Sequence, residues 1–196
     1  MTENIKQLKS KILFSVIEIL PYETFDINII SKACENIGMQ SEYANLLFPN
    51  GRAEVLELFR DYIDEIMIGR IKTELNDIKS ITARIFESLK IRLEILDKHK
   101  SIVPKIISFY SMPWNHLKLY PYTWKSMNLI WRIAGNDKST DFNYYTKRGL
   151  LTGVYWSTIL YWLSDESINY ENTHNFLNRE LMLIGKIGKK INKFSS

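Results

Sequence analysis

The chain has 196 residues, 45% of them hydrophobic and 24% charged, and a formal net charge of +4. This is the composition of an ordinary globular domain with a core, and its single cysteine, Cys34, excludes an internal disulfide and points to a reducing compartment. The longest uncharged run, 149–164, falls short of the roughly 20 residues of a bilayer span, and the first residues lack the pattern of a signal or transit peptide, so a cytoplasmic or peripheral protein is expected.

In chain order, apolar residues recur at three- and four-residue steps, which predicts helices over 3–20, 26–37, 41–48, 52–76, 80–98, 101–112, 115–134, 140–164 and 171–193. Breaks are expected at Pro21, Gly38, Pro49-Asn50-Gly51, Pro113, Pro121 and Gly135-Asn136-Asp137. Ser139 and Thr140 are candidate N-caps of the long late helix. The fold class is all-α, a bundle of about nine helices.

The first seventy residues carry the segment Phe25-Asp26-Ile27-Asn28-Ile29-Ile30-Ser31-Lys32-Ala33-Cys34, a turn at Gly38, a short helix from Ser41 to Leu47, and Phe48-Pro49-Asn50-Gly51 before a long helix. Short helix, glycine turn, short helix is a helix-turn-helix layout. The succession resembles TetR-type regulators, which carry a ligand-binding helical domain behind such a head. Three segments follow: a head over 1–70, a helical ligand-binding domain over 71–170 and a basic amphipathic helix over 171–196. A DNA reader needs bases for phosphates. This second helix offers Glu42 and no base, and the helix before it only Lys32, so no nucleic acid is expected as a partner.

Catalysis by the chain alone is not expected. Its histidines are His99, His116 and His174, and Glu171-Asn172-Thr173-His174 is a single Glu-x-x-His where a di-iron bundle needs two such pairs and two further carboxylates. There is no phosphate loop, zinc spacing or nucleophile elbow, so no metal, cofactor or catalytic residue is assigned.

The aromatic residues concentrate in the second half. Trp114, Trp124, Trp131, Phe142, Tyr155, Trp156 and Trp162 sit among Leu, Ile and Met, a mixture that suits either a plain core or an apolar ligand pocket. The candidate lining of such a pocket is Trp131, Leu150, Leu151, Val154 and Tyr155, from the helices on either side of the Gly135 turn.

On a wheel of the last helix, Phe176, Leu177, Leu181, Leu183, Ile184, Ile187, Ile191 and Phe194 share an arc of roughly 160°. Arg179, Lys186, Lys189, Lys190 and Lys193 lie opposite. This face fits a membrane interface, with lysines toward anionic headgroups, and it also fits a core-packing helix with a solvated basic side. The candidate membrane-contacting residues are Phe176, Leu177, Ile184, Lys186, Ile187, Lys189, Lys190 and Lys193.

The most specific signal is Trp131-Arg132-Ile133-Ala134-Gly135-Asn136-Asp137-Lys138-Ser139-Thr140-Asp141-Phe142-Asn143-Tyr144-Tyr145-Thr146-Lys147-Arg148. It resembles the signature of the coenzyme Q accessory family known as the ninth Coq protein. There an Ala-Gly-Asp turn precedes Ser-Thr-Asp-Phe-Asn-Trp-Tyr-Thr and two basic residues. Here Asn136 follows the glycine and Tyr144 replaces the tryptophan. Further matches lie at Val154-Tyr155, Asp165-Glu166-Ser167, Thr173, Phe176-Leu177 and Arg179.

The resemblance implies a TetR-like helical fold, a homodimer without DNA binding, and an apolar cavity for an isoprenoid or quinone lipid. It also implies partnership with the di-iron demethoxyubiquinone hydroxylase, and Asp141, Tyr144 and Tyr145 match the positions suggested for that contact. The reading that follows is a non-catalytic accessory protein of ubiquinone biosynthesis, in the cytoplasm and peripheral on the inner membrane of a bacterium. The alternative is a lipid-responsive TetR-type regulator.

Overall fold

A computed structural model of the chain describes residues 2–136 and 142–194, with side chains over 4–136 and 144–185. Among the described residues every regular element is a helix, with no strand: α1 (Thr2–Ile19), α2 (Ile29–Asn36), α3 (Tyr43–Leu47), α4 (Arg52–Glu74), α5 (Ile81–Asp97), α6 (Val103–Ser111), α7 (His116–Ile133), α8 (Phe142–Leu163) and α9 (Glu171–Phe194). Short 3₁₀ turns, Lys100–Ile102 and Ile168–Tyr170, lead into α6 and α9. The chain forms two compact units, residues 1–63 with 96–119, and residues 64–95 with 120–196.

The first unit is built on α1 to α3. The apolar side of α1 buries Ile12, Leu13 and Val16, Leu20 just after it is buried too, and α2 buries Ile29, Ile30, Ala33 and Cys34. Ser15 Oγ donates to the Ala33 carbonyl at 2.9 Å, fixing one helix against the other. Gly38 ends α2 with a positive φ of 74°. Its N–H and that of Met39 donate back to Glu35 and Cys34, the glycine-terminated helix end that satisfies the last carbonyls. Gly51, at φ 57°, turns the chain after Phe48-Pro49-Asn50 into α4. Val55, Leu56, Phe59 and Ile63 of α4 and Ile102, Val103, Ile106, Phe109 and Tyr110 of the α6 region complete this core.

The second unit gathers the later part of α4 with α5, α7, α8 and α9. Its core is Met67, Ile71, Ile85, Leu89, Met127, Ile130, Leu151, Val154, Ile159, Trp162, Leu177 and Leu181. Within it lies a polar network to which four helices each give one residue. Asp64 of α4 and Arg92 of α5 form an ion pair with side chains 5% and 3% exposed. Ser126 of α7 donates to Asp64 at 2.8 Å and accepts from Arg92 Nη2 at 3.2 Å. Arg92 Nε donates to the Tyr155 hydroxyl of α8 at 3.3 Å. Desolvation is the largest influence on Arg92 and opposes its charge, but Asp64, Tyr155 and Tyr122 together outweigh it and hold the guanidinium protonated.

One expected break is corrected. Pro121 lies inside α7, which runs on to Ile133. A proline this near the start forfeits one main-chain hydrogen bond, and the buried face of Tyr122, Thr123, Ser126, Met127 and Ile130 keeps the helix going. Asp165 stabilises the start of α9, accepting from the Thr173 N–H at 2.8 Å, the Thr173 hydroxyl at 2.6 Å and the Ser167 N–H at 2.9 Å.

Candidate functional site: an aromatic surface on the second unit

Tyr144 and Tyr145, adjacent in sequence, meet on a third ring. Their centroids are 5.1 Å apart and edge to face, and each lies 6.0 Å from Trp124 of α7. Tyr120, one helical turn before Trp124, also meets its ring, at 5.1 Å and a 34° tilt. The four rings form one aromatic surface, whose outer members Tyr145 and Tyr120 are 63% and 56% exposed.

The surface is held from beneath. Arg148, one turn after Tyr144 on α8, is buried, and its guanidinium lies 3.7 Å from the Tyr144 ring centroid. Its Nε donates to Asn128 Oδ1 at 2.9 Å and one Nη donates to the Tyr144 carbonyl at 3.0 Å. The Tyr144 hydroxyl donates to the same Asn128 oxygen at 3.3 Å. Burial, with Tyr145 second, pushes the Tyr120 phenol above its ordinary range, so it remains an un-ionised donor at neutral pH.

The chain leaves α7 through a close turn, with the Ala134 and Gly135 N–H groups both donating to the Ile130 carbonyl. A Cβ on Gly135 would stand 2.7 Å from the Trp131 ring and 2.7 Å from the Trp131 carbonyl oxygen, so the position admits only glycine without rearrangement. Asn136 follows with φ 47°, a conformation asparagine tolerates better than most residues. Trp131 Nε1 then donates across to the Lys147 carbonyl at 3.1 Å, and the Lys147 ammonium lies 5.6 Å from its ring.

The expected lining residues fall in the same unit. Leu151, Val154 and Tyr155 are buried, and Trp131 and Leu150 are half-buried. Tyr155 meets the polar Arg92 network rather than purely apolar neighbours. Two clefts are described, both in the first unit, and none of these five residues lines either.

Of the expected partner-contacting residues, Tyr144 and Tyr145 come together, and Asp141 lies outside the described residues. Among the expected membrane residues, Leu177 is fully buried and Phe176 stacks on Tyr161 of α8 at 4.8 Å. The structure therefore gives this pair to helix packing. Met182 and Leu183 are exposed and Ile184 half-exposed. The side chains of Lys186, Ile187, Lys189, Lys190 and Lys193 lie outside those described.

Sequence reasoning did not single out Tyr120, Trp124, Asn128 or Arg148 as parts of a site. The signal available was the four-residue step that puts Tyr120, Trp124 and Asn128 on one face of a helix. Among the described residues no group of three or more His, Cys, Asp and Glu is placed to hold a metal ion, and no helix is long and apolar enough to cross a membrane.

Comparison with known proteins places this surface in a wider likeness. A family model described as COQ9 matches residues 118–188, a span that contains all four rings. The mitochondrial ubiquinone biosynthesis protein COQ9 of Bos taurus is 24% identical over 203 residues, covering 96% of this chain and 62% of the relative. That of Homo sapiens is 25% identical with the same coverages. The Schizosaccharomyces pombe protein is 26% identical, covering 92% of this chain and 71% of the relative. The chain thus spans 62% of the length of the bovine and human relatives. Among solved structures, a TetR transcriptional regulator from Nitrosomonas europaea aligns with a TM-score of 0.70 at 16% identity, over 90% of this chain and 97% of that one. This second likeness shows the fold alone.

Proposed function

Because this chain belongs to the COQ9 family, we propose that it acts in ubiquinone biosynthesis as a non-catalytic accessory protein. In this reading it binds an isoprenoid or quinone lipid and presents it to the di-iron demethoxyubiquinone hydroxylase at a membrane surface. The observation that carries the proposal is the aromatic surface. Tyrosine and tryptophan are the usual anchors of protein interfaces, because they bury large areas at small entropic cost and keep a polar handle. Tyr120, Trp124 and Tyr145 present such anchors, with Tyr144 and Arg148 fixing the rings before a partner arrives. Pre-ordering lowers the cost of association.

The lipid and membrane roles belong to the same proposal. Drawing an isoprenoid tail out of a bilayer forfeits about 0.8 kcal/mol per CH₂, and the apolar interior around Leu151 and Val154 is the region that would offset it. The exposed apolar Met182 and Leu183, followed by Lys186, Lys189, Lys190 and Lys193, suit a helix lying on an anionic surface. For a bacterial cell that surface is the cytoplasmic face of the inner membrane. Leu160 on α8, also exposed, adds apolar area for the homodimer that the family resemblance implies. The regulator alternative gains nothing specific, since α3 and the residue before it carry Glu42 and no base.

The test is genetic and chemical together. Cells lacking the protein should accumulate the demethoxylated quinone and make less ubiquinone, with the hydroxylase still present. An unchanged quinone profile contradicts the proposal.

A further inference from the structure

We propose that the first unit carries a binding cleft for a small anionic amphiphile, a molecule that joins an apolar body to a phosphate or carboxylate. The cleft encloses about 400 Å³ between the α2–α3 pair, the first turn of α4 and the α6–α7 junction. That volume is in the range of small-molecule sites, roughly 300–1,000 Å³. Ile27, Phe48 and Trp114 supply apolar walls and Asn45 a polar one, and among the described residues that line the cleft both charged groups, Arg52 and Lys118, are cations.

The cationic character is built in. Arg52 is fixed by one Nη donating to the Phe25 carbonyl at 2.6 Å and by the Phe109 ring, 5.2 Å from its guanidinium. Asp26, the acid that faces Arg52, already accepts from the Thr24 hydroxyl at 3.0 Å and the Asn28 N–H at 2.8 Å. Lys118 stands exposed at the mouth. The smaller neighbouring cleft, about 260 Å³, shares Arg52 but not the unopposed charge: Glu23 lines it, and its Lys105 ammonium is occupied by the Leu20 and Glu23 carbonyls.

Chemistry of both kinds is needed to fill the site. Ile27 and Trp114 at the rim are 80% and 71% exposed. A nucleic-acid backbone brings phosphate without an apolar body and leaves both in water. A neutral lipid covers them and leaves two cations facing an apolar molecule. An anionic amphiphile satisfies all four groups. The inference stands apart from the aromatic-surface reading, because none of Tyr120, Trp124, Tyr144 and Tyr145 lines this cleft.

The test uses the full chain and three probes: octyl phosphate below its micellar concentration, octyl glucoside with the same tail and a neutral head, and inorganic phosphate. Octyl phosphate should bind at one equivalent, more tightly than either other probe, with amide shifts centred on Asn45, Phe48 and Arg52. Lys118→Gln, at an exposed position, should weaken octyl phosphate about fivefold and leave octyl glucoside unchanged. Trp114→Ala should weaken both. Phosphatidylglycerol vesicles identify the source of the anion. Binding lost in Lys118→Gln supports a membrane lipid, and octyl phosphate binding without vesicle binding supports a free ligand. Equal affinity for the two octyl probes overturns the proposal. So do an unchanged Lys118→Gln affinity, equal binding of inorganic phosphate or a DNA duplex, and shifts confined to the second unit.

Discussion

The Arg148 guanidinium lies 3.7 Å from the centroid of the Tyr144 ring, and the same side chain donates to Asn128 and to the Tyr144 carbonyl. A buried cation thus sets the posture of a surface aromatic cluster. Arg148→Lys should keep the charge but lose the planar stack and the forked donors. The expected cost is about 1–2 kcal/mol of stability, with a weakened near-ultraviolet dichroism from Trp124 and the two tyrosines. Unfolding in urea and the near-ultraviolet spectrum check both. An unaltered spectrum would mean that the rings hold themselves.

Asp64 and Arg92 pair in the interior of the second unit. Asp64→Leu leaves the guanidinium buried without its countercharge and should cost about 3–5 kcal/mol. The double variant Asp64→Leu, Arg92→Met should recover most of that loss, because the pair costs desolvation in the first place. Urea denaturation of the three variants decides it. A single-variant loss no larger than an exposed ion pair, about 1 kcal/mol, contradicts the account.

The all-α fold and the order of its helices were legible because apolar residues recur at helical steps from α1 to α9. The helix-turn-helix head was legible in Gly38 and in Phe48-Pro49-Asn50-Gly51, where the backbone needs the conformations those residues allow. The polar network was not. No motif or spacing singles out Asp64 and Arg92, although both interrupt buried stripes, Asp64 between Leu56, Ile63 and Met67, and Arg92 between Leu89 and Leu96. A wheel places Tyr144 and Tyr145 about 100° apart, yet it gives the direction of Cβ and not of the ring. Both side chains swing onto Trp124, twenty residues earlier on another helix, and only the tertiary arrangement brings that ring within reach. The return of residues 96–119 to the unit of the first helices is equally non-local.

Two histidines make stability depend on pH. Burial, then Lys98, pushes His99 below the ordinary imidazole range, and burial, then Lys90, does the same for His174. A depressed folded value means that the unfolded chain binds protons first. The stability is therefore fully present above the unfolded value of about 6.5 and is lost as pH falls through the folded values. Melts between pH 7.5 and 5 should show a declining midpoint, and His99→Phe, which keeps the edge contact with Phe59, should decline less. A midpoint that rises over this window has the wrong sign.

Reversing charge at Lys189 and Lys190 should weaken sedimentation with anionic liposomes, and added salt should weaken binding of the native chain in the same way, since exposed charges are screened. Met182 and Leu183, which follow the buried Leu181, are exposed, and helicity and melting temperature measured alongside separate a lost surface from a lost fold. Unchanged sedimentation at low salt would assign the basic side of α9 to solvent.

The most direct test of the account is the affinity of the purified chain for the demethoxyubiquinone hydroxylase of the same cell, compared with that of Tyr145→Ala. Tyr145 is the outermost ring of the aromatic surface, 63% exposed, so its truncation leaves no core cavity and the melting temperature should not move. An aromatic anchor carries about 2 kcal/mol or more of binding, roughly a 30-fold loss of affinity. The account predicts that loss with the fold intact. Native affinity in Tyr145→Ala would contradict it.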